Sequence, residues 1–122
     1  MPAGVTEPRG GFDVHKHFPD FPQGSRELAQ LFVDEALKID GTTPFATGTG
    51  VGFRPNFVWI ERIKRQRDGV TLSFYGLPQR HGNRHLLRRS RANWSRAYAC
   101  TRDELKSLLP EIKIAHDLKS GH

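Results

Sequence analysis

The chain is 122 residues long, 36% hydrophobic and 26% charged, with a formal net charge of +6. That length suits one domain with one core, and the single cysteine, Cys100, excludes an internal disulfide and a cysteine-built zinc ribbon. No apolar run approaches the ~18 residues of a membrane helix, and the opening MPAGVTEPRGGFDV lacks the charged-then-apolar layout of a secretory leader; the expected setting is a reducing cytoplasm.

Residues 1–24 carry Pro2, Pro8, Pro19 and Pro22 among Gly4, Gly10, Gly11 and Gly24, a spacing that breaks helices and central strands. They are expected to form an extended N-terminal arm. Phe12, Phe18 and Phe21 would lay its second half on the core of a single α+β domain over 25–119. The stretch SRELAQLFVDEALKIDG then reads as an amphipathic helix. Ser25 is placed to cap it, and Glu27 sits in the first turn, where the helix dipole favours an acid. Leu28, Leu31 and Phe32 recur with Ala29, Val33 and Ala36 at helical spacing, and Gly41 stops the run.

GTTPFATGTGVGFRPN is rich in Gly and Thr and reads as a loop feeding at most one short strand at 50–54. NFVWIERIKR alternates, which is expected to put Phe57 and Trp59 on one face and Val58, Ile60, Arg62 and Lys64 on the other. An Asp68-Gly69 turn leads into VTLSFYG, so the two runs form a hairpin whose turn end carries Arg62, Lys64, Arg65 and Arg67. ANWSRAYACT resumes alternation, with Trp94, Arg96, Tyr98 and Cys100 on one face; Cys100 is expected to pack as a small hydrophobe. TRDELKSLLPEIKIAHDLK opens on a capping box, Thr101-x-x-Glu104, and is expected to kink at Pro110. The fold class is therefore α+β: a helix, a three- or four-stranded mostly antiparallel sheet, and a C-terminal helix kinked at Pro110.

The pairing of NFVWIERIKRQRDGVTLSFYG with the terminal TRDELKSLLPEIKIAHDL resembles the DUF5655 type of small uncharacterised domain, over roughly residues 50–118. The resemblance implies an aromatic-rich strand, a turn, a second strand and a closing helix of D-L-x-x-L-L-P-L-I-x-x-A-Y character. His116 stands where that pattern has a tyrosine, and the arginine loop here is longer and more basic. The element order is also similar to that of MmcQ/YjbR-like domains, some of which are described as DNA-binding. Neither resemblance implies a catalytic set.

The positive charge is concentrated. From Arg54 to Arg96 there are 11 Lys and Arg against two acids, Glu61 and Asp68, and the rest of the chain is net acidic. Residues 76–101 hold Arg80, Arg84, Arg88, Arg89, Arg91 and Arg96, with no lysine and no acid anywhere in the stretch. A planar guanidinium pairs phosphate oxygens bidentately, and Trp94 and Tyr98 lie among these arginines where they could stack unpaired bases. The expectation is non-enzymatic binding of nucleic acid, DNA or RNA, through these arginines, Trp94 and the hairpin cations Arg62, Lys64, Arg65 and Arg67. An acidic protein partner is the alternative, and a solvated loop that only aids solubility is the plain reading.

Other constellations point to no metal and no cofactor. Asp13, His15 and His17 alternate, and His81 and His85 are four apart, but no cysteine joins them and Gly82-Asn83 interrupts a helix; surface histidines are expected. GTGVGF lacks the Gly-Lys-Ser/Thr end of a phosphate loop and the strand–helix context of a dinucleotide fingerprint. For an enzyme, His116 would have to approach Cys100, or Glu61 and Asp68 would have to converge on a metal.

Overall fold

The computed structural model describes residues 11–121. The expected extended arm is corrected in its second half: Asp13 accepts the Lys16 N–H and opens a single helical turn, α1 (Val14–His17). The turn is held from outside. Gln30 takes the Val14 N–H and donates to the Phe12 carbonyl, and Val14, Phe18 and Phe21 are buried. The remainder of the arm, residues 1–10, lies outside the described residues.

The next helix, α2 (Gln23–Ala36), begins before Ser25 and ends short of Gly41. Ser25 does not cap it. Buried in the first turn, its hydroxyl lies 3.1 and 3.0 Å from the Lys64 and Arg67 carbonyls and accepts the Gly69 N–H at 2.9 Å. One side chain thus clamps the basic hairpin turn to the helix. Asp68 lies over Gly24, where any side chain would collide with its carboxylate. Leu28, Ala29, Phe32, Val33 and Ala36 form the buried stripe of α2.

Six strands form one sheet: β1 (Thr43–Ala46), β2 (Val51–Arg54), β3 (Val58–Ile63), β4 (Val70–Tyr75), β5 (Arg88–Arg89) and β6 (Trp94–Ala99). All neighbours are antiparallel, in the order β1-β2-β3-β4-β6-β5. Two strands more than expected come from the edges. Pro44 is tolerated in β1 because an edge strand can spare a ladder donor. The Gly-Thr run between β1 and β2 is a tight turn in which Thr47 Oγ1 accepts the N–H groups of Thr49 and Gly50. At the other edge β5 is only a two-residue ladder against Arg96 and Ser95.

One face of the sheet is apolar. Val51, Phe53, Val58, Ile60, Val70, Leu72, Phe74 and Ala97 are buried, each full side chain contributing ~1.5–3 kcal/mol by leaving water. Phe32 of α2 meets Phe74 edge-on at 5.8 Å. The C-terminal helix is indeed bent. α3 (Arg102–Leu108) opens on the Thr101–Glu104 capping box, and α4 (Pro110–Lys119) starts afresh at the proline.

Between β4 and β5 the chain makes two 3₁₀ turns, Pro78–Arg80 and Arg84–Leu86. His81 separates them, and it is buried rather than on the surface. Its Nδ1 lies 2.9 Å from Glu111 Oε1 and its Nε2 2.9 Å from the Tyr75 carbonyl. Both ring nitrogens thus have an oxygen within hydrogen-bond distance. Glu111 is also buried, and accepts from the backbone of Gly82 and Asn83 and from Asn83 Nδ2. This loop is therefore pinned to α4, on the helical side.

Candidate nucleic-acid interface

Strand alternation sends the other side chains to the face that no helix covers among the described residues. Register aligns Phe45, Gly52, Trp59, Ser73, Arg96 and Arg88 in one row across the sheet. Arg62, Thr71 and Tyr98 form a second row, and Tyr75 and Trp94 a third. A register slip between Ile60 and Arg62 builds this face. The extra residue, Glu61, turns Arg62 to the open side with Trp59, whereas simple alternation had grouped it with Val58 and Ile60. Phe57 departs too: it precedes β3 and is buried against Phe53 and His116, with ring centroids 6.1 and 5.0 Å away.

A cleft of about 320 Å³ opens on this face, lined by Thr47, Thr49, Asn56, Trp59, Glu61, Arg62, Ser73, Ser90, Arg91 and Trp94. Each indole is braced. Trp59 meets Phe45 edge-on at 5.5 Å and its Nε1 donates to Asn56 Oδ1; Trp94 meets Tyr75 edge-on at 5.6 Å. Gly52 makes room for the first pair, since a Cβ there would fall 2.5 Å from Phe45 and 2.6 Å from Trp59. Glu61 accepts the Ser73 hydroxyl at Oε2, and Arg96 Nε stands 3.2 Å from the same oxygen. That contact is an ion pair by distance, with Nε short of hydrogen-bond alignment. The Arg96 pKa is raised from its ordinary value, first by a side-chain hydrogen bond with Tyr98 and then by the Glu61 charge.

The expected binding residues separate into two groups. Arg62, Arg88, Arg91, Trp94 and Arg96 surround the open face, and Lys64 Nζ reaches it over the Tyr98 ring at 5.3 Å. Arg89 pairs with Ser95 and so takes the other side of the edge strand. Arg65 packs over Phe21 at 4.4 Å, and Arg67 is exposed in the hairpin turn. Arg80 and Arg84 belong to the loop pinned on α4. Trp59, Asn56 and Ser73 join the face without having been expected to bind, and Glu61, considered only as a metal ligand with Asp68, joins it too. The alternation at Trp59 was visible, but its sharing of a cleft with Trp94 depends on two strand registers.

Charge pairing is equally uneven. Among the described residues Arg62, Arg67, Arg80, Arg84, Arg88, Arg89 and Arg91 make no ion pair, while Lys38 and Lys113 are matched locally by Glu35 and Asp117. The catalytic arrangements do not assemble. Cys100 is exposed beyond the Ala99 end of β6, and His116 packs on Phe57 at the Tyr75 end of the sheet. Asp68 sits at the start of α2, away from the cleft that Glu61 lines. Among the described residues no three His, Cys, Asp or Glu gather as metal ligands, and no helix is long and apolar enough to cross a membrane. Set against family models, curated proteins and solved structures, the chain matches none of them.

Proposed function

We propose that the chain binds nucleic acid as a single strand laid across the open face of its sheet, without catalysing a reaction on it. The observation that carries this reading is the joint presence of unpaired arginines, Arg62, Arg88 and Arg91, and partly exposed aromatics, Trp59, Trp94 and Tyr98, on one surface. An unpaired guanidinium can take a phosphate without first giving up an internal carboxylate. Aromatic side chains add about 1–3 kcal/mol for each base they stack. A duplex hides its bases, so a single strand alone uses both kinds of group. An acidic protein partner would account for the charge but would leave the Trp59–Trp94 cleft without a task.

Fluorescence anisotropy with labelled single-stranded oligonucleotides tests this at about 50 and 200 mM salt. With some four phosphates contacted, log affinity should fall against log salt with a slope of about −3. Arg62→Ala/Arg88→Ala/Arg91→Ala should weaken binding by an order of magnitude or more, and Arg80→Ala/Arg84→Ala far less. No binding at the lower salt, or equal losses in the two variants, overturns the reading.

A further inference from the structure

Both tryptophans of the chain line the same cleft, and among the described residues the one carboxylate lining it is that of Glu61. Resting on the single-strand reading above, we propose that the cleft takes one unstacked base of the bound strand and selects guanine there. Its volume of about 320 Å³ stands at the low end of the ligand-pocket range of roughly 300–1,000 Å³, a size for one nucleotide rather than for a helix or a long chain. Trp59 and Trp94 stand on β3 and β6 with β4 between them. Two strand spacings put their backbones about 10 Å apart across the sheet, so a flat base entering the cleft has an indole at hand from either strand.

Selectivity comes from the carboxylate. Ser73 and Arg96 both engage Oε2 of Glu61 and hold the group in place, while Oε1 has no partner among the described residues. An ionised carboxylate only accepts. Guanine alone presents two adjacent donors, N1–H and N2–H₂, on its Watson–Crick edge, and both can converge on the lone pairs of the one free oxygen, Oε1. Adenine and cytosine set one amino donor beside a ring nitrogen whose lone pair would face the carboxylate, and uracil or thymine offers a single N–H between two carbonyl oxygens. Arg62 and Arg91, also lining the cleft, supply donors for guanine O6 or for the flanking phosphates. The acid set amid arginines thus gives a surface that binds any strand a preference at one position.

The experiment uses the whole chain and oligothymidylates of about nine nucleotides, within the usual site size of a stacking platform, carrying dG, dI, dA, dC or dT at the centre. Anisotropy gives affinity, and the two tryptophans report occupancy of the cleft directly. The dG strand should bind about tenfold more tightly than the dT strand, as one good two-donor contact discriminates, with the larger quenching of tryptophan emission. Inosine lacks the N2 amino group, so dI should lose most of that advantage, a comparison that needs no altered protein. Glu61→Gln, which places a donor beside the acceptor, should level the series. Equal affinity for all five strands overturns the guanine proposal and leaves the nucleic-acid reading standing. No binding of any strand removes that reading and this proposal with it.

Discussion

Glu111 and Glu61 stand on opposite sides of one sheet, and the fold treats them in opposite ways. Glu111 is 1% exposed and meets four donors: His81 Nδ1, the N–H groups of Gly82 and Asn83, and Asn83 Nδ2. Its capacity is spent. Glu61, with a side chain 31% exposed, lines the cleft and shares one oxygen between Ser73 and Arg96, while the other has no partner among the described residues. A carboxylate removed from water is tolerated only with its donors in place, so the helical side has to be saturated. At the open face water or a ligand can complete what the protein leaves unmet, and an incomplete group is cheap to keep. Saturated polar groups here hold the chain in shape, and unsaturated ones are kept at the open face.

The largest expected effect breaks the saturated side. Glu111→Ala leaves His81 Nδ1 without its partner in a buried site and strands two backbone N–H groups of the arginine loop. The expected loss is about 3–5 kcal/mol, the range for breaking a buried pair, or a fall in Tm of 10 °C or more for a domain of about this size. Differential scanning fluorimetry and urea titration measure it. A loss under about 1 kcal/mol would mean that the loop keeps its place by apolar contacts such as Leu87 instead.

An intermediate effect strikes the scaffold beneath the open face. Gly52→Ala puts a methyl where the Phe45 and Trp59 rings lie, 2.5 and 2.6 Å from its Cβ. Two packed rings cannot both yield without moving, and overpacking of this kind costs about 1–3 kcal/mol. The Trp59 emission spectrum, followed in a Trp94→Phe background, should shift, and oligonucleotide affinity should fall although no charge has changed. An unshifted spectrum would separate Gly52 from the position of Trp59.

The division of the molecule also governs what could be read from its sequence. Where one local rule decides, the residues speak for themselves. The apolar spacing of α2, the Asp-Gly hairpin, the capping box at Thr101 and the break at Pro110 all stand in the structure. Where long-range pairing decides, they do not. β1 contains Pro44 and β5 is two arginines, so neither has strand character until a neighbour supplies the ladder. The bulge at Glu61 is one residue that composition cannot reveal, and it carries Arg62 to the opposite face. Ser25 has the chemistry of a cap but spends it on the hairpin turn, and His81 looks like any loop histidine until Glu111 arrives from 30 residues on. Consequently the basic character of the site was legible, and its division into an open face and a pinned loop was not.

The smallest effect on stability is the sharpest test of the contrast. Glu61→Gln removes a charge whose ion pair with Arg96 is partly exposed on both sides, with side chains 31% and 41% exposed. Such pairs are worth about 0–1 kcal/mol, so urea unfolding should change by less than that, against several for Glu111→Ala. Binding should change in two directions at once. Freed from Glu61, Arg96 becomes available to phosphate, and the cleft loses a negative charge, so affinity for oligothymidylate should rise and its salt dependence steepen. Affinity for the dG strand should fall relative to it. A loss of several kcal/mol in stability would make Glu61 a structural pin like Glu111, and the two sides of the sheet would then differ in exposure alone.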